Sequence, residues 1–183
     1  MKKKTLLVLG LFAGIAFNCG NKNEKDNPPQ NNDYLVSMTG IDSLKLEMTK
    51  AELEKLLDTR LQLPHISADN GGDTINVRYR NMDMTLFMDG SNDSSARLRG
   101  IQTTHPSCKT ATGIGVGADK MKVIDSYADF TKYVAPEYEA YPVRSTSRSA
   151  VAVLDTLNTG AIVFHIINKK VVSLEVRSYY EFY

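Results

Sequence analysis

Leu44-Lys45-Leu46-Glu47-Met48-Thr49-Lys50-Ala51-Glu52-Leu53-Glu54-Lys55-Leu56-Leu57 reads as a short apolar pair running into the start of a helix. Thr49 followed by Glu52 is a capping box: the hydroxyl accepts from the third helical N–H, and the carboxylate reaches back to the cap. Leu53, Leu56 and Leu57 fall on one face at helical spacing. Seventy residues on, Ile114-Gly115-Val116-Gly117-Ala118-Asp119-Lys120-Met121-Lys122-Val123-Ile124-Asp125-Ser126-Tyr127 has the same outline. Leu44 and Leu46 align with Ile114 and Val116, Thr49 with Asp119, Lys50 with Lys120 and Leu53 with Val123. Asp119 suits an N-cap and the positive end of a helix dipole, and Met121, Ile124 and Tyr127 form the apolar stripe. Self-similarity of this kind marks a unit built twice.

Each helix start is followed by alternating segments separated by turn residues. After the first come 74–80, 82–88 and 96–104, with Asp89-Gly90-Ser91-Asn92-Asp93 as a turn. After the second come 149–155, 161–167 and 171–179, with turns near Asn158 and at Asn168-Lys169-Lys170. Period-two alternation broken by turns predicts antiparallel hairpins. The predicted fold class is therefore α+β: two tandem helix-plus-antiparallel-sheet repeats, 39–107 and 108–183, forming one sheet covered by helices on one face. Residues 132–142, with Tyr133, Tyr138 and Tyr141, read as the link between the second helix and its strands.

The amino terminus is a different kind of segment. Met1-Lys2-Lys3-Lys4 is followed by an apolar stretch to Phe17, too short to span a bilayer but the size of a signal-peptide core. Ala16-Phe17-Asn18-Cys19 then leads into a tract without an aliphatic residue up to Asp33. A cysteine at such a junction resembles a bacterial lipoprotein signal. The resemblance implies cleavage after residue 18 and diacylglycerylation of Cys19, with palmitate-type acyl chains holding the protein to a membrane. It divides the chain into a signal peptide, 1–18, and a disordered tether, 19–38, ahead of the repeats. Gly20, rather than an aspartate, follows the cysteine, which favours the outer membrane over the inner. The formal +1 of the whole chain becomes −2 once the leader leaves, since Lys+Arg falls from 22 to 19 against Asp+Glu 21. A mildly acidic chain offers no basic surface for nucleic acid.

The paired helix starts resemble two families: the small outer-membrane lipoproteins of the SmpA/OmlA type, and the tandem-repeat β-lactamase inhibitor protein. The resemblance rests on about 14 residues per copy, with Gly117 at a position where the first copy has Glu47. It implies a non-enzymatic scaffold that binds another protein, serving either envelope assembly or inhibition, with no cofactor. The partner's identity is left open.

Residues able to do chemistry are scattered. His65, His105 and His165 lie in three segments with no pair at metal-ligand spacing. Gly113-x-Gly115-x-Gly117 lacks the preceding buried strand of a dinucleotide site and reads as a turn into the helix. Asp89-x-Ser91-x-Asp93 lacks the central glycine and closing glutamate of a calcium loop. Ser91, Ser94, Ser95 and Ser107 have no nucleophile-elbow context. With Cys19 acylated, Cys108 has no partner within the chain and reads as a small, half-buried thiol. The candidate partner-binding residues are Tyr179, Tyr180, Phe182 and Tyr183, which either join Tyr133, Tyr138 and Tyr141 as a binding surface or pack the last strand. The expectation is a protein-interaction module rather than an enzyme. Its rival is a ligand-binding or enzymatic lipoprotein with a pocket between helices and sheet.

Overall fold

The computed structural model describes residues 34–67, 71–155 and 160–178. Two helices form within them, α1 at Lys50–Leu57 and α2 at Lys120–Ser126. At α1 the capping box is complete: Glu52 N–H donates to the Thr49 hydroxyl at 3.1 Å, and Thr49 N–H donates to Glu52 Oε2 at 2.8 Å. That hydrogen bond to the Thr49 backbone, with the Thr49 hydroxyl second, holds the Glu52 carboxyl below its ordinary pKa. At α2, Asp119 has the extended N-cap backbone but makes no side-chain cap bond. Its carboxylate pairs instead with Lys170 at 2.9 Å.

The strands build two sheets. The smaller contains β1 (Tyr34–Ser37), β2 (Gly40–Ile41), β3 (Leu44–Lys45) and β7 (Cys108–Thr110), in the order β3-β2-β1-β7. Its β1 and β7 run parallel and the other pairs antiparallel. The larger is antiparallel, with β4 (Gly72–Tyr79), β5 (Met82–Asp89), β6 (Arg97–Thr103), β8 (Thr131–Ala140), β9 (Val143–Asp155), β10 (Gly160–Ile167) and β11 (Lys170–Ser178). Their order is β4-β5-β6-β11-β10-β9-β8.

This corrects the predicted α+β class. Among the described residues the protein is mostly β, with a second sheet and only two short helices, not one sheet of two repeats covered by helices. Length gives the reason. Helices of eight and seven residues are about 12 and 10 Å long, whereas seven strands span roughly 29 Å at the usual spacing. Helices this short leave most of the face uncovered, and the four-stranded sheet takes the remainder. Val36, Ile41 and Leu44 of that sheet share one buried cluster with Leu53 of α1, Val123 of α2, and Leu86 and Leu174 of the large sheet.

Two further expectations change with it. Tyr34–Ser37, placed in the tether 19–38, is strand β1, and residues 132–142, placed as a link, are mostly strand β8. The α2 stripe also differs: Val123 and Tyr127 are buried, while Met121 is 62% exposed. Lys132 joins α2 to β8, its ammonium donating to the carbonyls of Tyr127 at 2.6 Å, Ala128 at 2.9 Å and Phe130 at 3.1 Å. These carbonyls belong to the C-cap of α2 and the turn after it, and the ammonium gives them a hydrogen-bond donor.

Candidate functional site

Strands β8 and β9 form a long hairpin at one edge of the large sheet, joined through Tyr141-Pro142. Val134 pairs with Val151 and Pro136 with Ser149, so both lie on the face that carries α2. Because β8 is the outermost strand, Pro136 sits where a missing N–H is tolerated. The ladder shifts register between Pro136 and Tyr138 and again before Ala140, which breaks the flat edge that would invite uncontrolled pairing. The hairpin tip carries Tyr138 and Tyr141, ring centroids 5.5 Å apart, with the Arg144 guanidinium 5.9 Å from the Tyr138 ring. Tyr141 is 86% exposed. Large apolar side chains rarely stand in water in such a group.

Between α2 and the hairpin lies an open cleft of about 910 Å³. Met121 stands on the helix side and Val134 and Pro136 on the strand side, with Ser147 and Ser149 between. Lysines 120, 122 and 169 border it.

The opposite face of the same strands holds a charged cluster. Imidazole Nδ1 of His165 is 2.8 Å from Glu137 Oε1 and Nε2 is 3.0 Å from Glu175 Oε2. Arg148 Nε lies 3.1 Å from Glu137 and Arg177 Nε 3.4 Å from Glu175. Burial, the strongest single influence, favours the neutral ring. The hydrogen bonds and charges of Glu175 and Glu137 together outweigh it, and the His165 pKa stands above its ordinary value. With both nitrogens committed to carboxylates, the ring is arranged to hold β8, β10 and β11 together. It has no free nitrogen to take a proton from a nucleophile.

The remaining candidates stay apart. His65 donates its backbone N–H to Asp73 at 3.0 Å, and His105 Nδ1 accepts from Ser107 N–H at 3.3 Å. Among the described residues no group of three or more His, Cys, Asp or Glu side chains is placed to hold a metal. The Asp89–Asp93 turn is the β5–β6 loop, with Asp93 paired to Lys50 and Ser95 bonded to Asn92. Cys108 is wholly buried, its thiol 3.5 Å from Met82 Sδ, and burial pushes its pKa up to about 11. It is more enclosed than the half-buried thiol expected.

Cys19, Tyr179, Tyr180, Phe182 and Tyr183 lie outside the described residues. Of the tyrosines named from sequence, Tyr133, Tyr138 and Tyr141 are the ones the structure brings to one exposed arm. Glu137 and Glu175 were not singled out from sequence. Nothing local in the sequence marks them: they lie 28 and 10 residues from His165, on different strands of one sheet, and only the folded sheet brings them to its ring. No protein-family profile, curated protein or solved structure matches this chain.

Proposed function

We propose that this chain is a lipid-anchored lipoprotein of the cell envelope whose folded part binds another protein through the β8–β9 arm, without catalysis. One observation carries the binding half of the reading. Every large apolar side chain left exposed among the described residues, Leu35 excepted, lies between Met121 and Ile167. Phe130, Tyr133, Tyr138, Tyr141 and Val143 belong to this group, all on the arm or at its base. Tyrosine offers contact area with a polar tip at low entropic cost, which suits a surface that is wet when free and dry when bound. Scattered exposed apolar residues need no explanation, but the gathering of most of them on the arm and its base does, with Met121 of α2 and Ile167 at the end of β10 as the others of the group. His165, with both ring nitrogens on carboxylates, is not placed to act as a general base.

The anchoring half rests on sequence: a basic start, a short apolar core, Cys19 and a polar tether, with Gly20 favouring the outer membrane. Two or more acyl chains at Cys19 would hold the chain firmly, at about 0.8 kcal/mol for each buried methylene.

The test has two arms. A photo-crosslinking residue at Tyr141 in intact cells should give one reproducible protein adduct that a neighbouring Tyr138→Ser change reduces. An adduct pattern that matches total envelope protein abundance would end the interaction reading. Independently, Cys19→Ser should abolish incorporation of labelled palmitate; retained label would end the anchor assignment.

A further inference from the structure

The cleft beside the arm is unevenly charged. Asp119 is paired with Lys170 at 2.9 Å and Arg148 with Glu137 at 3.1 Å, so those charges are answered locally. Among the described residues Lys120 donates its ammonium to the neutral Ser149 hydroxyl alone, at 3.1 Å. Neither Lys122 nor Lys169 has a carboxylate partner among the described residues, and both are exposed. Against these three ammonium groups the cleft lining sets one carboxylate, Asp125, that has no cation partner among the described residues. Between the lysines the surface is apolar: Met121 is 62% exposed and Val134 49%.

We propose that this cleft receives an extended segment of the partner protein in which carboxylate side chains flank an apolar one. The proposal rests on the interaction reading above and adds the partner's chemistry to it. Charge complementarity selects an acidic segment. Lysines on the helix and on the β10–β11 turn frame the apolar centre from two sides, so a carboxylate on either side of a seated apolar side chain meets an ammonium. The strand side selects an extended conformation. Ser147 and Ser149, two apart on β9, present hydroxyls at the repeat of an extended chain, beside a cleft that follows the strand. Rim lysines of this kind steer encounter and orient the segment, while the apolar contact supplies the burial.

The test places the photo-crosslinking residue at Met121 or at Tyr141 in the full chain, in intact cells, and maps the attached peptide by mass spectrometry. At Met121 the expected product is a segment of another protein with Asp or Glu on both sides of the crosslinked residue. It should be lost in the Lys122→Glu, Lys169→Glu double variant while the Tyr141 product persists, which also shows that the variant is folded. A Met121 product that is lipid, a second copy of this chain, this chain's own tail or a non-acidic segment overturns the proposal. So does a product that survives charge reversal, or silence at Met121 with a product at Tyr141; that last result leaves the interaction reading standing. Silence at both positions overturns both.

Discussion

Glu47 and Gly117 occupy the same backbone position in the two helix starts. Their φ angles are 68° and 89°, and each donates its N–H at 2.8 Å to the carbonyl of the second residue of a central strand, Leu98 in β6 and Val171 in β11. Those two residues in turn donate to Met48 and Ala118, each at 2.9 Å. The last strand of each meander thus docks on the chain leading into that meander's helix. The equivalence stops there, because three strands of the large sheet follow one helix and four the other, and the small sheet draws on both halves.

The shared left-handed backbone favours glycine, and one position lacks it. A non-glycine residue there costs roughly 1 kcal/mol. Glu47 offsets this through its ion pair with Arg99, but both groups are partly exposed and such pairs contribute about 0–1 kcal/mol. Glu47→Gly should therefore leave stability unchanged or raise it by up to about 1 kcal/mol. Nothing lies within 4 Å of a Cβ added at Gly117, so Gly117→Ala should cost roughly 1 kcal/mol through backbone strain alone. Urea unfolding of the two variants checks the pair, and a loss in Glu47→Gly larger than in Gly117→Ala would refute it.

The N-caps should separate in the same way. Thr49 satisfies a helical N–H that Ala would leave to water, so Thr49→Ala should lose about 1 kcal/mol. Asp119 makes no cap bond and only a solvent-exposed pair with Lys170, so Asp119→Ala should lose less than about half of that. Thermal melts at matched pH compare them. Equal losses would mean that Asp119 caps α2 in solution.

Local signals were legible and non-local ones were not. Thr49 and Glu52 are three residues apart, and Asp89-Gly90 turns one strand into the next, so sequence neighbours carry the information. Strand β1 pairs with β7 some seventy residues away, through four residues with too little alternation to register. β8 was hidden for another reason. Pro136 and two register shifts interrupt its alternation, and as an edge strand it buries neither face fully. Helix coverage of the sheet was overestimated because the apolar stripe on α2 was read from spacing alone. Met121 fits that spacing and yet faces water, while Val123 and Tyr127 are buried, the Tyr127 ring 5.8 Å from that of Phe164 on β10. The arm was visible as a tyrosine cluster, whereas the His165 cluster needed the pairing of four strands.

Cys108 should be chemically silent in the native protein. The thiolate is the reactive species, and a buried thiol with a pKa of about 11 supplies almost none at neutral pH. Alkylation with iodoacetamide, followed by mass mapping of the Cys108 peptide, should label it only under denaturing conditions. Native labelling on the timescale of a free thiol would show that β7 opens readily from β1.

The His165 cluster predicts a pH dependence of known sign. Side chains on β8 and β10 meet across β9, a gap of roughly 9.6 Å, because the residue between them is only Ala150. The groups facing the ring are Glu137 and Glu175, themselves held by Arg148 and Arg177. Only the protonated ring can donate to both carboxylates; the neutral ring has one N–H and turns a lone pair towards the other. Glu175 is the carboxylate with more to lose, its side chain being 8% exposed. Since the folded pKa is raised above the unfolded value of about 6.5, the stabilisation is fully present below that value and is lost as pH rises through the folded one. The stability difference between wild type and His165→Gln should therefore be widest below about pH 6.5 and narrow as the pH rises above it through the folded pKa. Tm measured across that range for both chains, with the His165 ring titrated by NMR, gives the check. A difference that grows with pH would mean that the folded protein holds His165 neutral, and that burial rather than the two carboxylates governs the site.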